Sequence, residues 1–536
     1  MRFTTSLILL AAGSIGSVYS QGFENADFNI TEALVEKGVD VSALPELADL
    51  EQRSSTAGCS IACHSLKLLY GSSVVIEGSP GYDGFTDGYW SVQQASVDPY
   101  CIFKPASASQ TSISVLIARL SQCPFAVKSG GHAAFAGASS IEGGITIALE
   151  RLNEITVAKD KKTVAIGPGN LWYDVYTTLQ RSDIAVIGGR VSGIGVGGLT
   201  LGGGISFFSS LYGWACDNVA SFEVVTASGI IVTASPKSYS DLFWALRGGG
   251  NNFGIVTKFN LNAISLPGGQ MWGGSRIHTA DQFPAVVNAF YNLGINSPND
   301  PNAAQIMSYA YVQSANLEVA SAELQYAKPV ENAPIFSEYL AIPTIQADTR
   351  IRTLVDLTEH FNASNPNGLR ESYWTAAYKL DRDLVTDVQN IFFDELNSIR
   401  DAAGIVPALT LQVITQGQLT QMKKNGGNPL GLSEAQGPYL LLNPNVMWQD
   451  AADDARVLGA YSRIIQRANA AAKSRNAYRD YLYMNYASQF QAVVPSYGAA
   501  NQQRLKQVAT KYDPTGVYQR LQPGYFKLDG APASGP

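Results

Sequence analysis

The chain has 536 residues, of which 46% are hydrophobic and 15% charged, so it can bury a large core and is neither disordered nor collagen-like. Its net charge of -7 at neutral pH argues against nucleic acid or an anionic membrane as the main partner.

Arg2 is followed by an apolar run, Leu7 to Ala12, and by small or β-branched residues around Val18 and Ser20. This is the anatomy of a secretory signal peptide over residues 1–20, cut before Gln21. The run is shorter than the roughly 20 residues a membrane-spanning helix needs, so a secreted protein is expected. Export favours disulfides among Cys59, Cys63, Cys101 and Cys123, whose three possible pairings the spacing does not rank. Cys59 and Cys63 have no compact Cys/His partner set, so no metal site is expected. Cys216 reads as an unpaired, buried thiol. Asn29-Ile-Thr31 and Asn362-Ala-Ser364 fit the N-glycosylation pattern.

Residues 21–58 form a polar N-terminal segment with a short helix near Ile30 to Lys37. Strands are expected at 74–76, 101–103, 125–127, 145–147, 163–166, 185–187, 222–226 and 230–233. Ser109 to Ser121 has helical apolar spacing at Ile113, Leu116, Ile117 and Leu120. A glycine-poor stretch from about Met271 to Tyr478 alternates helices and strands. Leu317 to Tyr326 and Ile335 to Leu340 read as strands, and Ala451 to Lys473 as a long helix. The last segment, 481–528, reads as a strand followed by a helix near Gln502 to Tyr512, and residues 529–536 form a tail.

Three glycine clusters carry the chemical signal. Lys128-Ser-Gly-Gly-His132 follows a buried strand, and its paired glycines let the backbone approach an anionic ligand beside an imidazole. Gly193-Ile-Gly195-Val-Gly-Gly198 matches G-x-G-x-x-G, but Gly202-Gly-Gly204 follows at once. Each interior glycine costs a helix about 1 kcal/mol relative to alanine, so the helix that a Rossmann site opens is not expected here. A nicotinamide-dependent Rossmann enzyme is therefore the weaker alternative. Arg247-Gly-Gly-Gly-Asn-Asn-Phe-Gly254 leads into the β-branched Ile255-Val-Thr257.

In this order, the three clusters resemble the FAD-binding module of the vanillyl-alcohol-oxidase and p-cresol-methylhydroxylase type, in the berberine-bridge-enzyme branch. Tyr89-Trp-Ser91, Pro105, Tyr212-Gly213, Asp217-Asn218 and Phe243-Trp-Ala-Leu-Arg-Gly-Gly-Gly250 support the resemblance. So do Tyr483-Met-Asn-Tyr486, Lys511-Tyr-Asp-Pro514 and Pro523-Gly-Tyr-Phe526. It runs from about residue 60 to 528.

The resemblance implies an α+β fold. A two-subdomain FAD-binding module (59–268) would be completed by the C-terminal segment (481–528), with an inserted α+β substrate domain (269–480) over the flavin. It implies FAD attached covalently through His132, with Ser129, Gly130 and Gly131 at the pyrophosphate. Gly195, Val196, Gly197, Gly198, Leu199, Asn218 and Ile255 would line the rest of the groove. Relatives with a second covalent link keep a cysteine where this chain has Val191, so a single link is expected. Ile194 falls at a position thought to gate oxygen access in relatives.

Tyr486 would be the catalytic base, beside Asn485, with Tyr483 a weaker candidate. A tyrosine near its ordinary pKa of about 10 is a poor base at neutral pH, so Tyr486 needs help in losing its proton. The activity implied is hydride removal from an alcohol, a sugar hemiacetal or a secondary-metabolite intermediate. Oxygen would reoxidise the flavin and give hydrogen peroxide. The competing expectations are a flavin dehydrogenase with another acceptor, and a non-catalytic flavin-binding protein of the same fold.

Overall fold

The computed structural model describes residues 23–25, 27–44, 47 and 58–536; the expected signal peptide lies outside the described residues. No described helix is long and apolar enough to cross a membrane. Two disulfides form, Cys59 with Cys123 and Cys63 with Cys101, and Cys216 stays free and buried. Both half-cystines of the helix Gly58–Tyr70 are thereby tied down, one to the loop after the helix Ala108–Ser121 and one to the strand Cys101–Phe103.

Three sheets organise the described residues. In the first, Val74–Ile76, Cys101–Phe103, Ile145–Ala148 and Phe125–Lys128 lie in that order, the last three parallel. Parallel strands need helical crossovers, and Ala108–Ser121, with ten buried residues, supplies one. The second sheet is antiparallel and centred on the long strand Ile255–Ser265, which pairs with Thr163–Ile166, Val219–Val225 and Ile184–Val186.

The third sheet has ten strands. At its centre run Leu317–Tyr326, Ala303–Val312, Val406–Ile414 and Tyr439–Trp448, all antiparallel. Strand side chains alternate between faces, and here the alternation sorts cleanly. Met307, Tyr309, Leu409, Leu411, Leu440, Leu442 and Trp448 pack with Phe290, Val388, Phe392 and Ile464 of three covering helices, Phe283–Asn296, Arg382–Leu396 and Asp454–Ser474. The opposite face carries Ile306, Ser308, Ala310, Thr410, Gln412, Asn443 and Asn445, and it borders a cavity rather than a core.

Three expectations about local structure are corrected. Ile335 to Leu340 is helical, not a strand, as the turns Pro334–Phe336 and Ser337–Ala341. Pro334 starts the first turn with a pre-set φ, and the buried residues Phe336 and Tyr339 repeat at a spacing of three. The second glycine cluster does open a helix, the six-residue Val196–Leu201, with Gly195 at its N-cap and Gly202 at its end. The three consecutive glycines terminate that helix instead of preventing it. The preceding strand, Ile184–Val186, pairs antiparallel with Ile255–Ser265, so no Rossmann βαβ unit forms. The segment from 481 to 528 contains no strand; Tyr486 ends a 3-10 turn, Met484–Tyr486, and the last strand is Tyr478–Arg479.

Candidate active site

A cavity of about 520 Å³ runs between the glycine clusters and the open face of the large sheet. Ser129, Gly130, Gly131, His132, Gly195, Gly197, Gly198, Leu199, Ile255, Tyr483, Asn485 and Tyr486 all line it. Val196 and Asn218 do not. Val196 is fully buried in the core, and the buried Asn218 spends its amide on the carbonyls of Tyr212 and Trp214, both at 2.8 Å. Asn218 therefore shapes the Tyr212–Asn218 turn rather than the cavity wall.

The first two glycine clusters are packed on each other. A Cβ on Gly130 would sit 2.5 Å from the Gly195 amide nitrogen, and one on Gly195 would sit 2.3 Å from that of Gly130. Only glycine permits this approach on either side. The Ser129 hydroxyl ties the loops together, donating to the Pro168 carbonyl at 2.6 Å and accepting from Gly197 N–H at 3.1 Å. No acceptor among the described residues takes the backbone N–H groups of Gly130, Gly131 and His132. Three successive amides without a protein partner at a cavity wall suit an anion such as a pyrophosphate.

The His132 ring stacks on Trp90, with centroids 4.1 Å apart and planes 16° apart. Burial drives its pKa down to about 4, so the imidazole is neutral at physiological pH and keeps a free nitrogen lone pair. Trp90 stands edge-on to Tyr373, and Tyr373 edge-on to Tyr486, at 5.6 and 6.3 Å. His132 and Tyr486 thus share one aromatic wall. Val191 and Ile194 also line the cavity, while Cys216 is buried away from it beside Asp217. Burial pushes the Cys216 thiol pKa up, which disfavours the nucleophilic thiolate.

Tyr486 is held by two side chains that the sequence did not single out. Arg190 donates to its phenol oxygen at 2.5 Å and Gln412 at 3.0 Å, and Arg190 also donates to the Gln412 carbonyl oxygen at 2.7 Å. Two donors thus fix the position of the phenol oxygen at the cavity wall. The Tyr483 hydroxyl is used differently. It accepts from the amides of Gly204 and Ile205 and from Asn485, each at 3.1 Å, and burial raises its pKa. Asn485 in turn donates to the Leu199 carbonyl at 3.0 Å. Both pin the end of the second glycine cluster.

The sequon asparagines are engaged too: the Asn29 side chain caps the helix Ile30–Glu36, and Asn362 accepts from Gly193 N–H at 3.1 Å. Of the residues missed, Arg190 could have been suspected from its place three residues before the second glycine cluster. Gln412 could have been suspected as a polar residue between Leu411 and Val413 in a buried strand.

This architecture is that of a flavin-dependent oxidoreductase. The chain superimposes on 6-hydroxy-D-nicotine oxidase from Arthrobacter nicotinovorans with a TM-score of 0.68 and 19% identity, covering 85% of this chain and 97% of that one. It also superimposes on a variant of berberine bridge enzyme in complex with (S)-reticuline, with a TM-score of 0.70 and 16% identity over 87% and 98% of the two chains. Residues 99–235 match the family model described as FAD binding domain.

Sequence relatives carry the assignment further. FAD-dependent monooxygenase FUP4 of Fusarium proliferatum (strain ET1) is 36% identical over 82% of this chain and 87% of its own length. FAD-dependent monooxygenase sdcF of Emericella nidulans is 34% identical over 88% and 99%. The chain belongs to this family of FAD-linked oxidoreductases with the berberine-bridge-enzyme fold.

Proposed function

We propose that this chain is a secreted oxidoreductase that holds FAD through a single covalent bond to His132. Its substrate in this reading is a small organic molecule with an oxidisable hydroxyl: an alcohol, a sugar hemiacetal or a secondary-metabolite intermediate. The observation that carries the reading is the triangle of Arg190, Gln412 and Tyr486, set in the same cavity as the neutral His132.

The free amides of Gly130, Gly131 and His132 receive the pyrophosphate, and the close-packed glycines leave room for it. When bound, the flavin supplies a two-electron acceptor that molecular oxygen can reoxidise. Tyr486 takes the hydroxyl proton of the substrate at its phenol oxygen, and Arg190 and Gln412 hold that oxygen in place. Trp90 and Tyr373 shield the wall between the tether and the base. Val191 offers no second nucleophile, and Cys216 is out of reach, which supports one link only. The pair of disulfides and the leader-like first residues support secretion.

The relatives' names favour a second reading, in which oxygen enters the product. One experiment separates the readings. The holoenzyme is mixed anaerobically with a panel of alcohols and sugars, then reoxidised with ¹⁸O₂. Bleaching of the visible flavin band, followed by labelled hydrogen peroxide and unlabelled product, supports the oxidase. Label in the product supports the monooxygenase. A flavin band that no member of the panel bleaches counts against oxidation of this substrate class.

A further inference from the structure

A second, much smaller cavity adjoins the large one and shares Arg190, Ile205 and Gln412 with it. Its volume is about 30 Å³, room for about two water molecules. Arg190 is the one charged residue on its wall. A guanidinium carries five N–H protons. Among the described residues, one of these reaches Tyr486 and one the Gln412 carbonyl oxygen, which leaves three for other acceptors.

Gln325, on the strand Leu317–Tyr326, lines the same small cavity. It is 1% exposed, and neither atom of its side-chain amide has a hydrogen-bond partner among the described residues. Its neighbours on the flanking strands explain why. Gly273 and Ala304 stand directly opposite it and offer no polar side chain. The other glutamines on this wall are committed. Gln305 donates to the Phe290 carbonyl and accepts from the Tyr339 hydroxyl, both at 2.8 Å. Gln418 accepts from Trp214 Nε1 at 2.8 Å and donates to the Val413 carbonyl at 3.3 Å. Burying an amide without partners is costly, and buried waters bind such groups, typically with about three hydrogen bonds each.

We infer that the small cavity is a water site, and that through its water Gln325 is a positioning residue for Arg190. The water accepts a free N–H of the guanidinium and donates to Oε1 of Gln325. Arg190 is then held from the small cavity while its Nη2 bonds the phenol oxygen of Tyr486. The inference rests on the oxidoreductase reading above, because it takes Tyr486 as the base that Arg190 holds.

Two measurements test it. A crystal structure of the wild-type holoenzyme, at a resolution that shows ordered water, should place a water within hydrogen-bond distance of both Gln325 and Arg190. A dry cavity, or water that touches only one of the two, overturns the inference. The second measurement is steady-state kinetics of Gln325→Leu and Gln325→Glu on an alcohol that bleaches the flavin. Leucine fills the space without polar atoms, so kcat should fall about tenfold, the worth of one hydrogen bond to a charged group, with KM and flavin content unchanged. Glutamate keeps an acceptor in place and should retain most of the wild-type kcat. An amide with a merely structural role behaves otherwise: leucine then raises Tm and leaves kcat unchanged, and that result overturns the inference, as does an equal loss in both variants. If Gln325→Leu does not fold, the water density of the wild type decides. A wild-type flavin that no substrate bleaches counts against the function proposed above instead, and the density still decides the water site.

Discussion

Tyr486 owes its setting to residues nearly 300 and 74 positions away in sequence, Arg190 and Gln412. Its role is tested by Tyr486→Phe, which keeps the ring against Tyr483 and Tyr373 but removes the oxygen. The turnover number should fall by about 10²–10⁴, the usual worth of a positioned base, with flavin content unchanged, as steady-state kinetics and the visible spectrum would show.

Glu371 is held away from solvent on the strand Arg370–Tyr373. Its carboxylate oxygens are buried without a partner, and burial pushes its pKa from 4.5 up to about 10. The folded protein keeps this proton where the unfolded chain has lost it, so the native state binds more protons between pH 4.5 and about 10. Stability must therefore fall as pH rises through that window. Glu371→Gln removes the term, and at pH 8 it should stabilise the protein by up to about 5 kcal/mol, some 3.5 pH units above the unfolded value at about 1.4 kcal/mol each. Melting curves from pH 5 to pH 9 should show the wild type losing ground to the variant. A constant difference would refute the assignment.

His132 was legible in the sequence because it closes a glycine turn, and Tyr486 because it ends a Tyr-x-Asn-Tyr motif. Arg190 and Gln412 carry only weak local signals, and no local pattern reports that the two side chains meet on one phenol.

Among the elements, glycines of the first two clusters do different work. Gly130 and Gly195 allow two backbones to touch, whereas Gly202 ends a helix. Gly130→Ala should force the loops apart, because its Cβ would meet Gly195 backbone at 2.5 and 2.7 Å. The expected outcome is a folded protein with much less flavin, seen as a weaker visible band per mole of chain. Full flavin content in that variant would mean that the contact is dispensable.

The strands with clear alternation, such as Leu317–Tyr326, could be read from sequence. Ile335 to Leu340 could not: over six residues an apolar run fits a strand or a helix, and Pro334 decides it. The helix Val196–Leu201 was missed because Gly202-Gly-Gly204 was counted inside it; those glycines end the helix instead, and Gly197 packs against Ser129 and Pro168. Likewise, Tyr486 was expected near a strand and lies on a 3-10 turn, where nothing in Met484-Asn-Tyr486 marks the geometry.

For the whole molecule, the pairing of strands across more than a hundred residues builds the cavity. The ten-stranded sheet gives one face to its helices and the other to the glycine loops. Sequence periodicity identifies faces but not which strands become neighbours, so the residues of the cavity floor were not named, although the domain that supplies it was. In the reading proposed above, this cavity carries FAD bonded to His132. That bond is tested by denaturing the wild-type protein and His132→Ala in acid and measuring flavin absorbance in pellet and supernatant. The wild-type pellet should be yellow and the variant's colourless, with its flavin in solution; a colourless wild-type pellet would rule out the covalent bond.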